Sequence, residues 1–162
     1  MLERALNLID HNRLLEIRGP NGSGKSTLIE QIALGLHNRG QRFGIYSQHE
    51  GVDESLSLLQ LAMLLRGDPL AIARQLGVDD ELAKVPISRL SSGERAKALL
   101  SLAIGCGDWV LLDEPFSHLD QSSKRSLAEI VQSSSKKFAI ANHEPGLIKF
   151  EAELVLERIL DF

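Results

Sequence analysis

Apolar residues in this chain fall into short continuous runs and into stretches spaced at three and four residues, and the alternation predicts strands interleaved with helices. The run RLLEIR, Arg13 to Arg18, stops at Gly19 and Pro20 and reads as a strand entering a turn. Leu28, Ile29, Ile32, Ala33 and Leu36 then recur at helical spacing, so residues 25–38 are expected as a helix, with Gly40 as its stop. Residues 42–48, RFGIYSQ, form a second strand candidate, and residues 54–66 return to a leucine-rich helical pattern. Between 67 and 90, Gly67, Pro69, Gly77 and Pro86 break short apolar stretches into brief helices joined by turns. From Ser91, the positions Ala96, Leu99, Leu100, Ala103 and Ile104 line one helix face that ends near Gly105 and Gly107. WVLLD, 109–113, is a continuous apolar run expected of a central strand covered on both faces. A polar helix at 121–136, a strand at 137–143 and a final strand or short helix at 153–160 complete the reading.

Strands alternating with helices imply an α/β fold with a mainly parallel sheet and right-handed crossovers, whose ligands gather at the carboxyl ends of the strands. With 162 residues and no repeat, low-complexity segment or long linker, a single domain over 1–162 is expected. The 43% apolar and 25% charged residues are ordinary for a soluble protein, and no run approaches the ~20 apolar residues needed to span a bilayer. The start, MLERALNLIDHN, carries acidic residues among its apolar ones and does not read as a secretory signal, so a cytoplasmic location is expected. A net charge of -4 argues against a broad electropositive surface, and no nucleic-acid partner is indicated. The lone Cys106 excludes an internal disulfide and is expected as a small buried hydrophobe.

The chemistry begins where the first strand ends. GPNGSGKST, Gly19 to Thr27, fits G-x-x-x-x-G-K-[ST] with Gly19, Gly24, Lys25 and Ser26 at the fixed positions. Glycines let the backbone curl so that its N–H groups point inward at phosphate, and the following helix adds its positive end. Lys25 is placed to reach β- and γ-phosphates and the Ser26 hydroxyl to ligate Mg²⁺. At the end of the apolar run in VLLDEP, Asp113 and Glu114 are adjacent carboxylates, costly there unless a cation or solvent compensates them. Asp113 is the candidate metal ligand, and Glu114 the candidate for polarising an attacking water. LSSGE, 90–94, also satisfies an ordinary S-x-x-E capping box, and a capped helix start with exposed N–H groups is equally a seat for a phosphate presented by another molecule.

The series GPNGSGKST, Gln48 at a strand end, LSSGE, VLLDEP, SHLD at 117–120 and His143 at a strand end resembles the ATP-binding cassette (ABC) family over nearly the whole chain. The resemblance implies a P-loop NTPase-type, mainly parallel sheet flanked by helices, a small helical subdomain within about 54–105, and ATP and Mg²⁺ as ligands. Gly19, Pro20, Asn21, Gly22, Ser23, Gly24, Lys25, Ser26 and Thr27 would hold the phosphates. Ser26, Gln48 and Asp113 would serve the metal, and Lys25, Glu114 and His143 catalysis. Ser91, Ser92, Gly93 and Glu94 correspond to the signature motif and Asp120 to the D-loop aspartate.

Three departures stand out. The family usually has glycine and glutamine where this chain has Ser92 and Glu94. No aromatic residue precedes Phe43 to stack on adenine, which leaves His11 as the nearest candidate. The stretch from Lys25 to Gln48 is too short for the family's usual antiparallel strands, so only a reduced antiparallel β region is expected. The resemblance implies an ATPase pairing head to tail with a second copy or a related ABC subunit, and an integral membrane transporter as partner at the inner face of the membrane. A soluble ABC ATPase of DNA repair, translation or cofactor assembly, and an ATP-gated interaction module with little turnover, are the alternatives. A P-loop GTPase or kinase is disfavoured, because no N-K-x-D-like segment occurs and Glu114 follows Asp113 directly.

Overall fold

The computed structural model describes residues 1–47, 52–142 and 146–157. Its first element is a helix that the sequence reading left unassigned, α1 (Leu2–His11), which buries Ala5, Leu6 and Ile9 on one face. The Asn12 side-chain amide donates to the Leu8 carbonyl at 2.8 Å and closes its last turn. Strand β1 (Leu14–Arg18) and helix α2 (Lys25–Asn38) follow, the latter with the expected bounds. Next come β2 (Phe43–Tyr46), α3 (Leu58–Leu64), α4 (Pro69–Gln75), two 3₁₀ turns (Leu82–Lys84 and Ile87–Arg89) and α5 (Ser92–Cys106). The last elements of the described residues are β3 (Trp109–Asp113), α6 (Gln121–Ser133), β4 (Lys137–Ala141) and β5 (Ala152–Val155).

Where bounds contract, side chains compete with the backbone. The Asp53 carboxylate accepts from the Ser55 amide at 3.0 Å and its hydroxyl at 2.6 Å, so the chain turns before α3 begins, behind a capping box of Ser57 and Gln60. In α6 the Ser133 hydroxyl returns to the Glu129 carbonyl at 2.7 Å and the helix stops within the serine run 133–135.

Among the described residues five strands lie in the order β2-β3-β4-β1-β5, and every neighbouring pair is parallel. The antiparallel region shrinks to one isolated bridge among the described residues, Ser57 with Pro86. Alternation along the strands divides two cores. Leu14, Val110, Leu112, Phe138 and Ile140 face the α3–α6 side, whereas Leu15, Ile17, Leu111, Ala139 and Ala141 face α1 and α2. Helix α5 lies hard against edge strand β2 because Gly44 has no side chain: a Cβ there would sit 1.9 Å from the Ala103 carbonyl oxygen.

Lys137 stands over the Trp109 ring, 4.6 Å from its centroid, and donates to the carbonyls of Ile9 (3.1 Å) and Asp10 (2.6 Å). That ammonium satisfies the end of α1 and pins it at the amino end of the sheet. His11, the last residue of α1, therefore lies at the far end of β1 from the phosphate loop, about 17 Å of strand away. The expectation that His11 stacks on adenine is corrected by this topology. Cys106 is only partly buried, at the end of α5, where desolvation pushes its thiol up from the usual value. No helix among the described residues is long and apolar enough to cross a membrane.

Candidate functional site

Sheet register assembles the site. Asp113 pairs with Ala141, which pairs with Ile17, so the end of β3 and the end of β1 lie in one row with a single strand between them. Strands spaced by about 4.8 Å set these chain segments roughly 10 Å apart, about the size of a bound phosphate group with a cation. From Arg18 the chain leaves the sheet, the Ser23 amide donates to the Pro20 carbonyl at 3.2 Å, and Gly22 and Gly24 take left-handed φ values of 77° and 89°. Residues with a Cβ rarely adopt such angles, which is why the loop carries glycine at both positions.

Gly24 caps α2 without any side-chain hydrogen bond, so the first N–H groups of that helix stay open. The ammonium of Lys25, 6% exposed, folds back to the carbonyls of Gly19 (2.9 Å) and Pro20 (3.1 Å). Asn21, Gly22, Gly24, Lys25, Ser26 and Thr27 line a cavity of about 460 Å³ together with Asp113 and Glu114. Among the described residues, two buried side-chain atoms here lack any hydrogen-bond partner, Oδ1 of Asp113 and Oγ of Ser23. A buried carboxylate oxygen without a donor is costly, and beside a serine hydroxyl and open N–H groups it suits a divalent cation with phosphate.

Glu114 is the one non-glycine residue with positive φ (50°) among the described residues. Its amide donates to the Ala141 carbonyl at 2.8 Å, and its own carbonyl accepts from the Ser117 amide at 3.3 Å and hydroxyl at 3.0 Å. The surroundings thus hold a strained backbone at Glu114, where it lines the cavity.

Other expected residues take different places. Ser91 accepts from the Glu94 amide at 3.3 Å and gives its own amide and hydroxyl to Glu94 Oε2 at 2.9 and 2.7 Å, a complete capping box at the start of α5. The Ser91 hydroxyl, then the Ser91 amide, hold the Glu94 carboxyl below its usual range. Ser92 is exposed, and a Cβ on Gly93 would approach the His118 carbonyl to 3.3 Å. Asp120 caps α6: it accepts from Ser122 Oγ (2.6 Å), the Ser123 amide (2.8 Å) and Ser123 Oγ (2.9 Å), and pairs with Lys97 of α5 at 3.2 Å. These bonds, the Ser122 hydroxyl foremost, hold its carboxyl well below the ordinary range. Neither 91–94 nor Asp120 lines the phosphate cavity of its own chain. Gln48 and His143 lie outside the described residues.

A second cavity, about 250 Å³, shares Asp113 with the first and is lined by Tyr46, Ser47, Arg95, Ser117 and His118. Sequence reasoning did not single these out, although Arg95 follows LSSGE directly and His118 sits within SHLD. Their gathering from three separate segments has no local sequence signal.

A parallel α/β sheet with a glycine loop, an open helix start and a buried acid at the neighbouring strand end defines a nucleotide-binding domain of the P-loop class. Residues 5–117 match the sequence profile of the ABC transporter family, and the chain belongs to that family. It is a domain of the ABC ATPase type, a class whose domains bind nucleotide. ABC transporter F family member 4 of Arabidopsis thaliana is 31% identical over 86% of this chain and 22% of its own length. Elongation factor 3 of Zygosaccharomyces rouxii is 30% identical over 91% of this chain and 15% of its own. The chain thus spans about a fifth or less of these relatives. Among solved structures, the dimeric bacterial ABC transporter cassette MJ0796 superposes with a TM-score of 0.71 at 18% identity, covering 90% of this chain and 82% of that one, a likeness of fold.

Proposed function

We propose that this domain hydrolyses Mg-ATP at an interface between two copies arranged head to tail, and that pairing and release energise a separate membrane transporter. The carrying observation is the α2 start: no side chain caps it, Lys25 folds over it, and the orphan Asp113 oxygen stands in the same cavity. On this reading Lys25 exchanges the Gly19 and Pro20 carbonyls for phosphate oxygens, and the loop N–H groups hold the rest of the phosphate charge. Ser26 and Asp113 would hold Mg²⁺, which when bound supplies positive charge against the phosphate oxygens. Glu114 orients and polarises the attacking water, its backbone fixed by Ala141 and Ser117. Gln48 and His143 take their family roles beside the metal and the γ-phosphate.

The other half of each site is the start of α5 on the partner. Ser91 to Glu94 cannot serve the chain's own cavity, and a helix start receives anions. The dimeric state named for MJ0796 supports pairing of two such domains. Sedimentation of Glu114→Gln tests it: monomer without nucleotide, pair with Mg-ATP. A monomer under both conditions at high protein concentration would leave Ser91 to Glu94 as a helix cap alone.

The membrane partner rests on the family, and fractionation with an integral membrane protein is its test. A second reading, work in translation, is favoured by the name of the elongation factor relative. Co-sedimentation with ribosomes in place of membranes would select it.

A further inference from the structure

Two capping boxes in this molecule differ by one atom type, and the difference bears on pairing. At the start of α3, the Ser57 amide donates to Gln60 Oε1 at 2.9 Å and the Gln60 amide donates to Ser57 Oγ at 3.2 Å. No bond from the Ser57 hydroxyl to Gln60 occurs among the described residues. At the start of α5 the third residue is an acid, and one carboxylate oxygen, Glu94 Oε2, accepts both the amide and the hydroxyl proton of Ser91. Here the carboxylate oxygen holds two donors where the Gln60 amide oxygen holds one, in line with the greater strength of charge-assisted hydrogen bonds.

The hydroxyl and amide that an incoming anion would use at this helix start are therefore already given to an anion of the same chain. The neighbouring cations do not release them. Arg95 is paired with Glu54, and Lys97 is held by Asp120. On the two-chain reading, Glu94 meanwhile adds a negative charge at the helix start that would receive the partner's γ-phosphate, and like charges there repel.

We infer that Glu94 is a built-in competitor for its own signature seat: its carboxylate holds the Ser91 hydroxyl, and ATP-driven pairing must displace it. The inference rests on the two-chain reading of the site given above. Glu94 is a positioning residue in this scheme. It sets how tightly two ATP-loaded chains close, and so keeps the pair short-lived.

The test compares pair dissociation in Glu114→Gln with that in Glu114→Gln carrying Glu94→Gln, both at saturating Mg-ATP, by sedimentation equilibrium. Glu94→Gln keeps an acceptor for the Ser91 amide, as Gln60 does for Ser57, so the helix start survives. Pairing should tighten by roughly tenfold, because two seats are relieved in each twofold pair. A double-mutant cycle with Ser91→Ala supplies a readout that a purely structural role would not move. Loss of the hydroxyl should weaken pairing by under about twofold while Glu94 holds it, and by about fivefold or more once Glu94→Gln has freed it. Pairing that forms but is unchanged or weaker with Glu94→Gln overturns the competitor role and leaves the two-chain site standing, as does strict additivity in the cycle. Absence of pairing in every variant overturns the two-chain reading and this inference with it.

Discussion

Helices α2 and α5 both begin at the carboxyl end of the sheet, and they solve the same electrostatic problem in opposite ways. Each presents unsatisfied N–H groups and the positive end of a helix. At α2 the capping residue is Gly24, left-handed and without a side chain, and among the described residues no side chain caps the first turn. At α5 the chain supplies its own acceptors, Ser91 and Glu94, and α3, α4 and α6 are likewise capped by Ser57, Asp68 and Asp120. A side-chain cap contributes about 1 kcal/mol of stability, so leaving α2 bare forgoes that contribution until a ligand arrives. One helix start is closed by the chain's own side chains and the other is left open.

The largest effects should come from disabling the open end. Glu114→Gln keeps the shape of the side chain and removes its ability to take a proton. ATP turnover should fall by about 10²- to 10⁴-fold while nucleotide still binds. Full turnover in that variant would move the catalytic role away from Glu114. Lys25→Ala should lower Mg-ATP affinity at least about 100-fold, the loss of two charge-assisted hydrogen bonds at ~1.5–3 kcal/mol each. Calorimetric titration checks it, and an unchanged affinity would dismiss the cradle. The fold should survive, because the partners released are loop carbonyls next to a cavity that water can enter.

A smaller effect probes the strain that holds Glu114 in place. At φ 50° any residue with a Cβ is disfavoured, whereas glycine is not. Glu114→Gly should therefore be more stable than Glu114→Ala by about 1 kcal/mol in denaturant unfolding, with both variants inactive. Equal stabilities would mean that the left-handed turn after Asp113 relaxes in solution.

The sequence made the open end legible and the capped end ambiguous. Gly19, Gly24, Lys25 and Ser26 stand at fixed spacing because the phosphate loop is one contiguous segment, and WVLLD is readable because a strand buried on both faces must be apolar. The orphan oxygen of Asp113 was not legible, since it depends on which donors the fold brings to it among the described residues. Helix α1 escaped for a related reason. It has no side-chain cap at its start and is held by tertiary contacts, the packing of Leu6 over Gly35 and the Lys137 ammonium on its last carbonyls. Ser91 to Glu94 read equally as cap and as signature, and the structure supplies a complete cap, with the seat for a partner still a proposal. Gln48 and His143, expected at strand ends, lie outside the described residues, so their places rest on the family pattern alone.

The smallest effect separates the two helix starts by pH. Ser91→Ala removes the serine cap of α5 and should cost about 1 kcal/mol at neutral pH. Part of that cost is electrostatic, because the Ser91 hydroxyl and amide hold the Glu94 carboxyl below its ordinary value in the folded chain. A carboxyl depressed on folding contributes stability that is fully present above its unfolded value, and that contribution is lost as pH falls through the folded one. The penalty of Ser91→Ala should therefore shrink as pH drops from neutrality to below about 4. The open start of α2 behaves differently, since its stabilisation waits on ligand. Mg-ATP at a hundred times its dissociation constant should raise the stability of the chain by about 2.7 kcal/mol, at protein concentrations where no pair forms, and should do so equally with Ser91→Ala. Urea unfolding of wild type and Ser91→Ala across this pH range, with and without Mg-ATP, measures both arms. A Ser91→Ala penalty constant with pH would mean that the carboxylate of Glu94 carries no charge-dependent share of the cap, and the contrast between the two helix starts would reduce to the presence or absence of a serine.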